Sequence, residues 1–173
     1  MSSFEQNQSD VSGYLAQFND GVLNHINGQQ QAALDNTWFE SLSPIDLNPL
    51  AKIAHGKAAD IHLAAQAAHN AFTPWAAMSG KQRQKILHKV ADGIEARAHE
   101  IALVECIDTG QAIKFMAKAA LRGAENFRFF ADKAVQAQDG QSLYAQGQVN
   151  VTKRYPIGPV GVITPWNTPF MLS

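Results

Sequence analysis

The strongest constraint on the fold is a short continuous apolar run, Val160-Gly161-Val162-Ile163. Such a run is typical of a strand that is buried on both faces of a parallel sheet. One strand cannot form a parallel sheet alone, so this segment predicts an α/β fold with further strands beside it. The chain ends shortly after Ile163, at residue 173. We therefore expect these residues to be the front part of a larger fold rather than a self-sufficient domain.

The middle of the chain predicts helices, because its apolar residues recur at three- and four-residue spacing. A first helix is expected to end at Thr73-Pro74. A second begins at the capping box formed by Ser79 and Gln82. A break near Arg97 to His99 and a left-handed cap at Gly110 separate the helices that follow. Four helices packed on one another are expected.

The amino-terminal part predicts a helix and then a hairpin. Apolar residues at helical spacing favour one amphipathic helix from about Asp10 to Asn27, with Gly28 placed to end it. Two short apolar runs, Trp38 to Pro44 and Leu50 to Ala54, flank a turn at Asp46 to Pro49 and predict a hairpin.

A second hairpin is predicted near the carboxyl end, after a turn at Asp139-Gly140. From Val149 to Tyr155 apolar and polar residues alternate, which is typical of a half-buried strand. This strand is expected to pair with Ser142 to Ala145 across Gln146 to Gln148.

Charge and composition exclude several classes of protein. Lys and Arg number 14 against 15 Asp and Glu, so the chain lacks the basic excess of a nucleic-acid binder. No run approaches the roughly 18 apolar residues of a membrane span, and Met1 to Asp10 is acidic where a signal peptide is basic. The single Cys106 cannot form an internal disulfide and suits a reducing compartment. These features predict a cytoplasmic protein.

The remaining polar candidates predict no metal or catalytic site. His62 and His69 lie two helical turns apart, roughly 10.5 Å, too far to share one ion. Asp92 and Glu95 are interpreted as solvated charges on a helix face, and Cys106 as a buried structural thiol within a helical stripe. No glycine-rich phosphate motif is present. Four further residues at helical spacing are assigned to the core: Phe115, Met116, Phe127 and Phe130.

The best-placed site is the turn Thr164 to Asn167, because ligands of open α/β sheets bind at the carboxyl ends of strands. Thr168-Pro169 would then open a helix with proline at its first position. The Asn167 amide could donate to an anion. Alternatively, Trp166 is core and Asn167 only caps the helix. Spacing alone leaves both interpretations open.

The residues from Tyr155 to Phe170 also carry a family resemblance. They resemble the strand-and-turn signature of the NAD(P)-dependent aldehyde dehydrogenase superfamily, close to P-x-G-V-V-G-x-I-x-P-W-N-F-P. The resemblance covers about Trp38 to Ser173 and leaves residues 1–36 as an extension with an amphipathic helix. Similar features upstream are Asn48-Pro49, the helix ending at Phe72 with Trp75, Asp108-Thr109-Gly110, and Phe127 to Ala131.

The resemblance implies an aldehyde dehydrogenase-like α/β fold in several parts. Residues 37–138 would be a hairpin and the helical part of the cofactor-binding domain. Residues 139–158 would be an oligomerisation hairpin of a homodimer or homotetramer. Residues 159–173 would hold the first Rossmann-type core strand and the Pro-Trp-Asn turn.

The resemblance also implies an activity and the residues for it: oxidation of an aldehyde to a carboxylic acid by NAD or NADP, through a cysteine thiohemiacetal. Asn167 would be the oxyanion donor. Many members carry Phe at the position of Thr168, which implies a more polar substrate for this chain. The sequence around Thr168 is most similar to that of the hydroxymuconic semialdehyde dehydrogenase branch. The cofactor would contact Ile163, Thr164, Pro165 and Trp166, and the substrate tunnel would include Thr168, Met171 and Leu172.

Two expectations follow for the chain itself. The family's nucleophilic Cys and general-base Glu lie downstream of the matched segment, so the chain is expected to be inactive alone. The alternative is a non-catalytic helical interaction module that pairs with a partner sheet through its Val149 to Tyr155 strand.

Overall fold

The computed structural model describes residues 3–137 and 140–173. Within these ranges, no helix combines the length and hydropathy needed to cross a membrane. A helix precedes two hairpins, four consecutive helices follow, and a third hairpin comes after them; every strand pair is a separate antiparallel hairpin. In order, the elements are α1 (Ser3–Leu15), a 3₁₀ turn (Ala16–Phe18), β1 (Asn24–Ile26), β2 (Gln29–Gln31), β3 (Trp38–Leu42), β4 (Pro49–Ala54), α2 (Ala58–Ala77), α3 (Gly80–Ala96), α4 (Ala98–Thr109), α5 (Ile113–Gln136), β5 (Ser142–Ala145) and β6 (Gln148–Val151).

Three helices form the body of the molecule: α5 packs along both α3 and α4. Their contact faces are built largely from small residues, which let helices approach closely. One cluster joins Ala91, Ile94 and Ala124, and the other joins Ala102, Met116 and Ala119. The expectation that α2 packs with the other helices is wrong, because its closest neighbour is β1. The apolar stripe of α2 is mostly alanine, and its Ile61 is exposed, so it offers little apolar area for a helix contact.

The helix ends mostly follow the predicted signals. The capping box is confirmed: Ser79 Oγ accepts from the Gln82 N–H at 3.3 Å, and Gln82 Oε1 accepts from the Ser79 N–H at 2.8 Å. Gly110 has φ +73° and ends α4 as a left-handed cap, as predicted. The predicted end at Thr73-Pro74 is wrong, since α2 runs on to Ala77. Pro74 lies inside α2, where it removes one helical hydrogen bond, and the helix ends three residues later.

The predicted helix from Asp10 to Asn27 is wrong in its second half. Helix α1 ends at Leu15, and β1 and β2 form a hairpin across Asn27-Gly28. Asn27 has φ +53° and Gly28 has φ +75°, the two positive angles of a tight hairpin turn that favours Asn-Gly. The Asn-Gly pair is therefore the local signal that overrides the helical spacing.

The hairpin of β3 and β4 is confirmed, with Trp38 opposite Ala54. A buried carboxylate ties this region to α2. Asp60 Oδ1 accepts from the Leu34 N–H and Oδ2 from the Lys57 N–H, both at 2.9 Å. These two backbone hydrogen bonds, first that of Lys57 and then that of Leu34, lower the pKa of Asp60 below its ordinary range.

The carboxyl-terminal hairpin pairs as predicted, with Ser142 opposite Val151 across a Gln146-Gly147 turn. The predicted half-burial is wrong, because all eight residues of β5 and β6 are exposed and β6 ends at Val151. No described element packs on either face of this hairpin closely enough to cover it. Of the Asp139-Gly140 turn, Asp139 lies outside the described residues.

Two predictions for the last residues also fail as stated. Residues 160–163 form no strand, and their three large apolar side chains are exposed. A strand requires a neighbour to receive its backbone hydrogen bonds, and no described strand lies beside this segment. The helix predicted from Thr168-Pro169 is replaced by consecutive turns at 166–172.

Candidate functional site

The turn at 166–172, called here the Asn167 turn, is anchored to the helical body by two apolar side chains. Phe170 packs on the cluster of Ala91, Ile94 and Ala124. Met171 packs on the cluster of Ala102, Met116 and Ala119. The turn therefore spans α3, α4 and α5 at the place where these helices meet.

A glycine in α5 makes room for this anchor. A Cβ atom at Gly123 would lie 3.1 Å from Cε1 of Phe170, which is tighter than ordinary van der Waals contact. Gly123 is itself buried. Any side chain at this position would press on the ring that holds the Asn167 turn.

Three hydrogen bonds complete the anchor. Glu105 Oε1 accepts from the Phe170 N–H at 2.9 Å. Asn126 Nδ2 donates to the carbonyl oxygen of Met171 at 3.3 Å, and Ser173 Oγ donates to that of Phe170 at 2.8 Å. The backbone of the Asn167 turn, which has no regular secondary structure, is thus held by side chains of α4 and α5 and by Ser173, which follows it.

Asn167 is exposed, and no described residue supplies a hydrogen-bond partner for its side chain. The alternative that Trp166 is core and Asn167 caps a helix is wrong. Trp166 is 75% exposed, and no helix follows Asn167. The amide is free to donate to a bound group, which is the state that an oxyanion donor requires.

A cleft of about 480 Å³ opens between the Asn167 turn and α5. Thr168 and Met171 line it from the turn, but Leu172 does not, although all three were predicted to line one tunnel. Helix α5 lines the rest of the cleft with two basic residues, one acidic residue and four apolar ones. These are Lys118, Arg122 and Glu125, with Phe115, Met116, Ala119 and Leu121.

None of the four residues predicted to contact a cofactor lines the cleft beside α5. Ile163 is 99% exposed, and Pro165 is exposed beside Trp166. Thr164 is half-buried and lines a second cleft of about 660 Å³ together with Phe170 and Ser173. The structure therefore separates Thr164 from Thr168 and Met171, with Asn167 between the two groups in sequence.

The other polar candidates are structural. Cys106 is half-buried against the cluster that contains Met116, and burial raises the pKa of its thiol, which disfavours the reactive thiolate. Asp92 and Glu95 are exposed on the helix face, as predicted, but they are not isolated charges, because they pair with Arg128 at 2.8 and 2.7 Å. These two carboxylates, Glu95 foremost, raise the pKa of Arg128.

The core assignments for the large side chains hold in part. Met116 is 2% exposed and Phe127 packs on a core cluster, as predicted. Phe115 and Phe130 are exposed, so their assignment to the core is wrong. Within the described ranges, no group of three His, Cys, Asp or Glu side chains is placed to hold a metal ion.

Several residues of the site were not predicted, among them Lys118, Arg122 and Glu125 in the cleft, and Glu105, Gly123 and Asn126 around the anchor. The anchoring contacts join residues far apart in sequence, which local spacing cannot reveal. Only Glu105 gave a signal, as an acidic residue inside the apolar stretch Leu103 to Ile107.

Comparison with known proteins gives the family to which this chain belongs. The sequence model of the aldehyde dehydrogenase family matches residues 17–173, and the chain belongs to this family. The match takes in β1 and β2 and leaves α1 outside.

Similar proteins include known dehydrogenases and a solved structure. The NADP/NAD-dependent aldehyde dehydrogenase PuuC of Escherichia coli K12 is 36% identical over 151 residues, covering 86% of this chain and 30% of PuuC. The 2-hydroxymuconic semialdehyde dehydrogenase of Pseudomonas sp. CF600 is 36% identical over 157 residues, covering 87% and 32%. HpcC from Thermus thermophilus superposes with a TM-score of 0.89 at 34% identity, covering 96% and 33%. The chain thus spans about a third of the length of these relatives.

Proposed function

We propose that this chain is the amino-terminal part of an NAD(P)-dependent aldehyde dehydrogenase that oxidises an aldehyde to a carboxylic acid through a cysteine thiohemiacetal. The observation that carries the proposal is the anchored turn that leaves the Asn167 amide without a partner, one residue before Thr168 at the cleft. Residues 37–138 and 159–173 would belong to the cofactor-binding domain, 139–158 to an oligomerisation hairpin, and 1–36 to an extension, of which the family match takes in residues 17–36.

Asn167 would donate to the oxygen that becomes negative when a thiolate adds to the aldehyde. A neutral amide suits this position because it stabilises the developing alkoxide without first forming an ion pair with the thiolate. The donor acts best where it is already in place before the reaction, which is what the anchor on Glu105, Asn126 and Gly123 provides.

The cofactor would lie against Ile163, Thr164, Pro165 and Trp166. The exposed apolar side chains of Ile163, Pro165 and Trp166 fit a planar ring. The backbone of 160–165 makes no hydrogen bond with the described residues, so its polar groups are free for a ribose or an amide. When bound, NAD or NADP accepts a hydride from the substrate carbon. PuuC, by its name, uses both NADP and NAD.

Within the described ranges, no residue is suited to act as the nucleophile. Cys106 is packed against apolar side chains, and its raised pKa keeps it protonated. We propose that the nucleophilic Cys and the general-base Glu belong to the rest of the complete enzyme, and that this chain alone is inactive. Its single thiol suits the cytoplasm as the compartment.

The substrate that this cleft fits best is a semialdehyde, whose far end carries a carboxylate. Lys118 and Arg122 give the cleft two positive charges against the one negative charge of Glu125. Hydroxyl-bearing Thr168 adds a polar group from the turn. The similarity to a 2-hydroxymuconic semialdehyde dehydrogenase is consistent with this choice.

The test is an assay of NAD(P)⁺ reduction by the complete enzyme with paired aldehydes of equal length, one neutral and one ending in a carboxylate. We expect turnover of both and a lower KM for the carboxylate. A double Lys118→Met and Arg122→Met variant should raise KM for the carboxylate roughly 10-fold, since charge-assisted hydrogen bonds are lost, and leave the neutral aldehyde unchanged.

Lys89→Met on α3 serves as the matched control, since Lys89 is exposed and lies outside the cleft. Equal effects on both aldehydes would contradict the semialdehyde proposal but not the dehydrogenase. No NAD(P)⁺ reduction with any aldehyde would contradict the dehydrogenase itself.

The exposed hairpin of β5 and β6 supports a homo-oligomer, a dimer or tetramer, because paired strands with no cover on either face are a template for association. Val149→Glu with Val151→Glu should reduce the molar mass measured by light scattering after gel filtration. The matched control places the same charges on the other face of β6, at Gln148 and Asn150.

The molar mass and the aldehyde oxidation activity together separate the two proposed functions. An unchanged molar mass in the valine variant would contradict the oligomerisation role. The alternative function, a non-catalytic module that pairs through the strand from Val149, would be favoured by association of the chain without any aldehyde oxidation by the complete protein.

A further inference from the structure

We propose that Glu105 is a positioning residue for the oxyanion donor: its buried carboxylate fixes the backbone of the Asn167 turn. The inference rests on the proposed role of Asn167. Glu105 lies on α4 and is 5% exposed. Its Oε1 accepts from the Phe170 N–H at 2.9 Å, across 65 residues of sequence.

The stability of the fold does not account for a carboxylate at this position. Burial of an ionised group is costly unless both oxygens are hydrogen-bonded. Glu105 Oε2 is buried and has no partner among the described residues. An apolar side chain of similar size would avoid that cost, so the one bond that Oε1 does make is the feature that the carboxylate adds.

The bond to Glu105 holds the Asn167 turn through one of the turn's own backbone N–H groups. Pro169 has no N–H, so Phe170 supplies the first backbone donor after Thr168. Asn126 and Ser173 hold only carbonyl oxygens, those of Met171 and Phe170, and the contacts of the two clusters are apolar. Loss of the Glu105 bond would leave the turn free to shift along the surface of α5 while its ring contacts persist.

A small shift is enough to affect catalysis. Misplacement of a reacting or stabilising group by about 1 Å can reduce the rate roughly 100-fold. Asn167 lies three residues before Phe170 on a segment without regular secondary structure, so a shift at Phe170 passes directly to the amide. The α5 side chains of the cleft, Lys118 and Arg122 among them, do not move with the turn, so KM should change less than kcat.

The test compares Glu105→Leu, which removes the acceptor, with Glu105→Gln, which keeps one in the same place. In the complete enzyme we expect Glu105→Leu to lower kcat about 10- to 100-fold, with KM for aldehyde and cofactor within about threefold. Glu105→Gln should restore most of kcat. Hydrogen exchange, measured by mass spectrometry on the peptide containing Phe170, should be faster in Glu105→Leu only.

The control is the same pair of substitutions at Glu95, a glutamate of α3 that pairs with Arg128 and lines neither cleft. Unchanged kcat in Glu105→Leu, or a Glu105→Gln variant as slow as Glu105→Leu, would overturn the proposal. If Glu105→Leu does not fold, Glu105→Asp replaces it, since it keeps the charge but withdraws the acceptor. If Asn167→Ala leaves kcat unchanged, the proposed function fails, whereas exchange at Phe170 still reports whether Glu105 holds the turn.

Discussion

Replacement of Asn167 by Ala is expected to lower kcat of the complete aldehyde dehydrogenase about 10²- to 10³-fold. The side chain is exposed and has no partner among the described residues, so its removal breaks no contact of the fold. Its amide would donate to an oxygen that carries negative charge only after the thiolate has added to the aldehyde. The loss should therefore appear in kcat and leave KM for the cofactor nearly unchanged. Initial rates of NAD(P)⁺ reduction over a range of aldehyde and cofactor concentrations measure both constants.

Two further variants make this result specific. Asn167→Asp has almost the same shape but carries a negative charge, which repels the developing alkoxide, so it should be at least as slow as Asn167→Ala. Asn70→Ala removes an exposed asparagine from α2, away from the turn, and should keep full activity. A kcat for Asn167→Ala equal to that of the unchanged enzyme would contradict the role of this amide.

Local chemistry explains which parts of the fold could be predicted. The capping box of Ser79 and Gln82 and the cap at Gly110 are decided by neighbouring residues, so their sequence signal survives in the structure. The helix predicted from Asp10 to Asn27 is a case in which two local signals disagree. There, helical spacing of apolar residues competes with the Asn27-Gly28 turn, and the turn prevails because both residues adopt positive φ angles.

Contacts over long sequence distances explain what could not be predicted. The motif around Asn167 could be found from its residues, but its anchor could not, since Glu105 and Asn126 reach it from other helices. The apolar run of 160–163 predicts a buried strand, yet burial needs neighbouring strands, and none is described beside it. The strand prediction at 160–163 fails because local residues decide the apolar character of the segment but not the neighbouring strands that would bury it.

The close packing of α3 on α5 leads to a large expected effect on stability, at Gly80. A Cβ atom there would overlap the carbonyl oxygen of Ala134 and press on the backbone of Val135. These are backbone atoms of a helix and cannot move aside as a flexible side chain can. Gly80→Ala should therefore force the start of α3 away from the end of α5 and reduce the free energy of unfolding by about 2–3 kcal/mol.

Gly93 supplies the matched control, because it lies in the same helix and a Cβ there would have nothing within 4 Å. Alanine is the better helix former, so Gly93→Ala should raise the free energy of unfolding by about 0.5–1 kcal/mol. The two variants carry the same chemical change on one helix and are expected to differ in sign. Urea unfolding of the chain, followed by circular dichroism, measures both. A Gly80→Ala variant as stable as Gly93→Ala would contradict the close contact between α3 and α5, and with it the packing on which the anchor of the Asn167 turn depends.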